Sequence, residues 1–151
     1  MKNFFLMACV IIMSCVGCAK EEKGCTPVSP EAEDVKMKAY AIANGITAVK
    51  HSSGLYYEVM DSGTGVTPTK NSNVTATYVG KFLDNKIFDQ GTADFPLSGV
   101  IEGWTIGIPL IKKGGKIRLI IPSALAYGCT GRPGIGPNEV LYFDVTLVDV
   151  K

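Results

Sequence analysis

The sequence predicts an α+β domain: five antiparallel strands with a concave face filled by one short helix, and a second helix ahead of them. Three observations carry this. Fifteen of the seventeen glycines lie between Gly45 and Gly136, where Ser-Gly, Gly-Thr-Gly and Gly-Gly punctuate short runs rich in Val, Ile, Thr and Tyr. Two of those runs alternate with period two, as half-buried strands do. One stretch, Val100–Leu110, instead spaces Ile101, Trp104 and Ile108 as a helix would.

In chain order, Lys2 precedes Phe4–Val16, an apolar run interrupted by Ser14. It is too short for a membrane span, which needs about 20 residues, and has the length of a signal-peptide core. Gly17-Cys18 follows, and the segment resembles a bacterial lipoprotein signal in which Cys18 becomes acylated after cleavage. Ile12-Met13-Ser14-Cys15 is a competing register; Gly17 and the charged Lys20-Glu21-Glu22 favour Cys18. An ordinary secretory signal is the plainer alternative. The resemblance implies residence in the bacterial cell envelope, lipid-anchored at the outer membrane or cell surface, or periplasmic without the anchor. Residues 18–29 read as a polar tether. Cys25 and Cys129 remain as an available disulfide pair; one lies in the tether and the other in a Gly-rich loop, which argues against a bond but leaves the pairing open.

Residues 30–52 form a helix and its connection. Ser29-Pro30-Glu31 combines a hydroxyl cap, a proline at the first helical position and early acidic residues. Val35, Ala39, Tyr40 and Ile42 are expected to form the apolar stripe, and Asn44-Gly45 ends the helix. So short a helix does not stand alone in water, so it packs on the domain or on a twin; Pro30–Asn44 is thus a candidate homodimer surface.

The main domain, residues 53–151, holds the strands. Leu55–Met60 is the first. Asn73–Leu83 puts Val74, Ala76, Tyr78, Gly80 and Phe82 on one face, and Asp84-Asn85 turns the chain into Ile87–Asp89. Lys116–Ile121 directs Ile117, Leu119 and Ile121 one way, and Val140–Val150 keeps Leu141, Phe143, Val145 and Leu147 in phase. Val100–Leu110 contains Gly103, Gly107 and Pro109, so its helix must be held by tertiary packing rather than propensity.

Composition narrows the function. With 46% hydrophobic and 19% charged residues, a disordered chain is excluded. Net charge is +1 and lacks the basic excess that nucleic acid binding requires. The lone His51 lies in a polar turn, which leaves no Ser-His-Asp or Cys-His arrangement. No cysteine and histidine spacing suits a metal, and no cofactor loop is present. Asp89 and Glu102 are two carboxylates that nothing in the sequence brings together.

Aromatic residues on the apolar phases of strands stand out instead. The segments Tyr78-Val-Gly-Lys-Phe-Leu-Asp-Asn-Lys-Ile-Phe88-Asp89, Val100-Ile101-Glu-Gly-Trp104, Lys116-Ile-Arg-Leu-Ile-Ile-Pro122-Ser-Ala-Leu-Ala126-Tyr127-Gly128 and Leu141-Tyr-Phe143-Asp144-Val145 resemble, in order and spacing, the FKBP-type peptidyl-prolyl cis-trans isomerases. The likeness spans Ser53 to Val150, about 65% of the chain.

The resemblance implies a half-open five-stranded sheet wrapped around the short helix, with a prolyl pocket between them. Trp104 would be its floor, and Tyr78, Phe88 and Phe143 its walls. Val100 and Ile101 would line the entrance, with the Ile101 N–H on a substrate carbonyl. Tyr127 would offer its hydroxyl, Asp89 would sit beside the twisting bond, and Ile135 would touch substrate from the loop Cys129–Asn138. Between Asp89 and Phe95 a short loop is expected, with Phe95 left outside the site. Expected partners are proline-containing polypeptides and the macrolide inhibitors tacrolimus and rapamycin, with no cofactor. A non-catalytic proline-binding or chaperone module in the envelope is the alternative.

Overall fold

A computed structural model of the protein describes residues 24–151. The predicted leader and Cys18 lie outside the described residues.

The order of elements is α1 (Pro30–Ala43), β1 (Val49–Lys50), β2 (Tyr56–Asp61), β3 (Asn73–Phe82), β4 (Ile87–Pro96), α2 (Glu102–Gly107), β5 (Lys116–Ile121) and β6 (Leu141–Val150). The strands form one antiparallel sheet in the order β1-β2-β5-β6-β3-β4. The sheet therefore has six strands rather than five. The additional one is β1, whose two residues pair with Tyr56 and Tyr57.

Strand periodicity distributes side chains to two cores. On one face Ile117, Leu119 and Ile121 of β5 and Leu141, Phe143, Val145 and Leu147 of β6 pack with Val74 and Ala76 of β3 against Trp104 and Ile108. On the other, Tyr56, Ile120 and Tyr142 meet Met37, Tyr40 and Ala41 of α1. Consecutive residues such as Ile120 and Ile121 are both buried because a helix covers each side of the sheet.

The helix α2 is followed by a 3-10 turn at Ile108–Leu110. Its glycines, unfavourable by propensity, permit close approach to the sheet. A Cβ on Gly107 would lie 2.6 Å from Cδ2 of Leu119, and one on Gly103 would collide with Ile121. Tertiary packing holds this helix, as its composition requires.

The expected apolar stripe of α1 holds at Tyr40 and is corrected by the structure at Val35, Ala39 and Ile42. Val35 and Ile42 are 79% and 81% exposed. The buried face is Glu33, Met37, Tyr40 and Ala41, at the i, i+4, i+7, i+8 spacing of one helical stripe. A carboxylate is an unusual core residue, and nothing local to Glu33 marks it for burial. It is 1% exposed and accepts the backbone N–H of Ser123 at 2.7 Å, with the Lys36 ammonium 2.9 Å from its other oxygen. Asn85, at φ 66°, forms the β3–β4 turn, and its side-chain oxygen accepts the Tyr40 hydroxyl at 2.9 Å.

Cys25 and Cys129 are joined in a disulfide across 104 residues, with Cα atoms 5.4 Å apart. This corrects the sequence argument against the bond. The tether end does not hang free of the loop: Asn138 donates its amide N–H to the Thr26 carbonyl at 3.2 Å, which sets Cys25 beside Cys129.

Candidate functional site

The β4 strand runs unbroken from Ile87 to Pro96, where a short strand and loop were expected. Its register with β3 pairs Ile87 with Lys81 and Asp89 with Gly80, which leaves Phe88 as the extra residue of a bulge. Paired residues of antiparallel strands share a face, so Asp89 points inward with Gly80. The bulge also lets its neighbour Phe88 face the same cavity. Gly80 makes room for this: a Cβ there would lie 2.7 Å from both Phe143 Cε1 and Phe88 Cζ.

Between β3, β4, β6 and α2 lies a cavity of about 640 Å³. Tyr78, Phe88, Asp89, Val100, Ile101, Trp104, Tyr127 and Phe143 all line it. Trp104 is 5% exposed and meets Tyr78 and Phe143 edge-on, with ring centroids 5.1 Å away in each case. Phe88 makes a T-shaped contact with Phe143 at 5.5 Å. Such edge contacts hold rings at fixed angles, so the slot is shaped before anything enters it.

Polar groups are few. The Tyr78 hydroxyl donates to Asp89 Oδ2 at 3.1 Å. Burial, and then this bond to a carboxylate, push the Tyr78 phenol above its ordinary range. The Ile101 carbonyl accepts the N–H groups of Trp104 at 2.9 Å and Thr105 at 3.3 Å, which starts α2 at the cavity mouth. Neither the Ile101 N–H nor the Tyr127 hydroxyl has a partner among the described residues. Tyr127 is placed by the preceding 3-10 turn: the Ser123 carbonyl accepts N–H groups from Ala126 at 3.0 Å and Gly128 at 2.8 Å.

Ile135 does not line the cavity. It is 4% exposed and packs in the core beneath the rim loop. Phe95, expected outside the site, does line it, with its ring 5.2 Å from Trp104. The signal that would have found Phe95 is register: it pairs with Val74, an inward residue of β3. Glu102 and Arg132 also border the cavity, so Asp89 and Glu102 do share one site. His51 lies in the turn before β2, where its Nδ1 accepts the Ser53 N–H at 3.1 Å.

The fold and site define an α+β domain with a preformed aromatic slot, walled by one sheet and floored by one helix. The model of the FKBP-type peptidyl-prolyl cis-trans isomerase family matches residues 65–148. The chain is 43% identical over 138 residues to the FKBP-type peptidyl-prolyl cis-trans isomerase FkpA of Escherichia coli (strain K12), which covers 88% of this chain and 50% of that protein. It is 39% identical over 126 residues to the peptidyl-prolyl cis-trans isomerase Mip of Coxiella burnetii, with 77% of this chain and 54% of that one covered. The crystal structure of a peptidyl-prolyl cis-trans isomerase from Pseudomonas syringae pv. tomato superposes with a TM-score of 0.69 at 33% identity, covering 83% of this chain and 98% of that chain. That of FkpA from Escherichia coli gives 0.72 at 43% identity, covering 81% and 61%. The chain belongs to the FKBP-type peptidyl-prolyl cis-trans isomerase family. It spans about half the length of the FkpA and Mip proteins.

Proposed function

We propose that this protein is a peptidyl-prolyl cis-trans isomerase that speeds rotation about X–Pro bonds of exported polypeptides through its aromatic slot. The observation that carries the reading is the ring set Tyr78, Phe88, Trp104 and Phe143 around one cavity, in a chain of this family.

The chemistry asks for little more. Rotation about an amide has a barrier of about 18–20 kcal/mol, and no covalent bond is made or broken. Shortening tens of seconds to milliseconds is about 10⁴-fold, or roughly 5–6 kcal/mol. The planar amide is stabilised by charge-separated resonance, which the twisted state loses. A slot that supports this dipole less well than water raises the planar ground state relative to the twist. The proline ring would rest on Trp104, with the open Ile101 N–H on a flanking carbonyl and the Tyr127 hydroxyl on the peptide backbone. Asp89, held by Tyr78, would stand beside the rotating bond.

A protease-coupled assay on proline tetrapeptides tests this. The purified protein should accelerate the slow phase, with Trp104→Leu and Tyr127→Phe lowering the rate. Binding of the peptides without acceleration would leave a proline-binding module and overturn the enzyme reading. Tacrolimus and rapamycin should compete for the slot.

The setting we propose is the bacterial cell envelope, with a lipid anchor at Cys18. Supporting this are the leader's composition and the similarity, 40% over 134 residues, to the outer membrane protein MIP of Legionella longbeachae. Palmitate labelling of the wild type, absent from Cys18→Ser, is the expected result; equal labelling of both would reject the anchor. The exposed Val35 and Ile42 would be the apolar contacts of a homodimer through Pro30–Asn44; a monomer by sedimentation would reject it.

A further inference from the structure

We propose that Arg132 is a specificity-determining residue of this cavity, receiving an acidic side chain on the residue immediately before proline. This rests on the isomerase reading of the same site.

The backbone of Arg132 is fixed. It exchanges two hydrogen bonds with Ile135, at 2.9 and 2.8 Å, closing a turn through Pro133 and Gly134. Gly134 has φ 85°, which a side chain would disfavour, and the buried Ile135 pins the turn to the core. The guanidinium lies over the Tyr127 ring, 4.7 Å from its centroid. Stacking of this kind aims an arginine while leaving its edge N–H groups open. Its anionic neighbour is Asp89, with Nη2 3.9 Å from Oδ2, too far for a hydrogen bond. Asp89 already accepts from Tyr78. The Arg132 side chain is 42% exposed, and its guanidinium makes no hydrogen bond among the described residues, the Asp89 contact at 3.9 Å being too long for one.

Among the described residues Arg132 is also the one cation of the cavity lining, since β4 carries no Lys or Arg and the remaining polar lining includes the carboxylates Asp89 and Glu102. An acidic substrate side chain meets one attracting group in this lining, with Asp89 3.9 Å away opposing it, and the planar fork can bind it with two parallel N–H donors. The position follows from the chemistry of the twist. Asp89 is proposed to stand beside the rotating bond and Tyr127 to hold the peptide backbone, and the Arg132 guanidinium lies 3.9 Å from the one and over the ring of the other. In this arrangement Arg132 would receive the side chain of the residue that supplies the carbonyl of that bond.

The test compares succinyl-Ala-Xaa-Pro-Phe-4-nitroanilides with Xaa Glu, Gln, Lys or Leu, the neutral Gln being the isosteric reference. In the wild type, kcat/KM for Glu should exceed that for Gln about three- to tenfold, with Lys below both, the range expected of a partly exposed charge-assisted contact. The Glu/Gln ratio should fall toward one in Arg132→Gln and at high salt. It should fall partway in Arg132→Lys, which keeps the charge but not the fork, and Arg132→Glu should favour Lys over Glu. A wild-type ratio at or below one, or a ratio unmoved by Arg132→Gln, overturns the proposal while turnover of the Leu peptide keeps the isomerase reading. If no peptide is turned over, that reading fails on its own. The affinities of the Glu and Gln peptides, followed by Trp104 fluorescence, then decide the Arg132 proposal by the same ratio.

Discussion

The Glu33 carboxylate and the Ser123 backbone N–H meet at 2.7 Å inside the protein, joining the first turn of α1 to the turn that presents Tyr127. The Ser123 carbonyl in turn accepts N–H groups on both sides of Tyr127, from Ala126 and Gly128. The N-terminal helix therefore supports the rim of the cavity from behind. Replacing Glu33 with Ala leaves a buried N–H without its charged acceptor, a loss of about 1.5–3 kcal/mol. Urea denaturation should show this, with Glu33→Gln, which keeps an acceptor oxygen, losing less.

The Cys25–Cys129 disulfide should be a large single contribution to stability. By chain entropy alone, closing a loop of this length restricts the unfolded chain by about 5 kcal/mol, and disulfides typically deliver about 2–4 kcal/mol. Thermal unfolding of the wild type should shift down on reduction. Cys129→Ser should melt at the reduced temperature with or without reductant. A reductant-dependent shift that persists in Cys129→Ser would reject the assignment.

Gly80 is expected to be intolerant of even one methyl group. An added Cβ would press on Phe88 and Phe143, both walls of the cavity, at 2.7 Å. Overpacking of this size costs about 1–3 kcal/mol. Gly80→Ala should lower both the urea midpoint and the rate on proline peptides, because the same rings serve core and site.

Phe95 separates the two roles better. Phe95→Leu keeps an apolar residue against the indole and should cost less than about 1.5 kcal/mol in stability. It removes the Phe95–Trp104 aromatic contact, worth about 0.5–1.5 kcal/mol. If that contact braces the floor in the transition state, kcat/KM falls roughly two- to tenfold. An unchanged rate would remove Phe95 from the site.

Acid should weaken the fold through Asp34. Its carboxylate is held well below the ordinary range by Lys38 and then by Lys50 and the Tyr56 hydroxyl, at 2.8, 2.7 and 2.6 Å. A depressed folded-state pKa means that the stabilisation is present above the unfolded value of about 3.9 and is lost as pH falls below it. Urea midpoints measured between about pH 5 and pH 2 should decline, and Asp34→Asn should flatten that decline.

Much of the architecture is legible in the sequence. Alternation in β3 and β6 assigns faces directly, because a strand of period two that covers a core leaves one register open. The capping set at Ser29-Pro30 sets the start of α1, and the Asp84-Asn85 turn is local chemistry. The motif order also brings eight of the nine expected cavity residues together. Where the reading failed, partners distant in the chain decide. Whether Val35 or Met37 faces the sheet depends on the buried Glu33 and its acceptor role 90 residues away.

What the sequence by itself determined is the α+β class, the strand phases and the start of α1, which follow from local patterns, and the aromatic set, which follows from the order and spacing of its motifs. Only the tertiary structure decided the bulge that turns both Phe88 and Asp89 inward, the place of Phe95, the burial of Ile135, the bond between Cys25 and Cys129, and the seat of Arg132 over Tyr127. Each of these depends on register or proximity between segments far apart in the chain. Such relations are set by how the whole sheet packs, and no local preference encodes them.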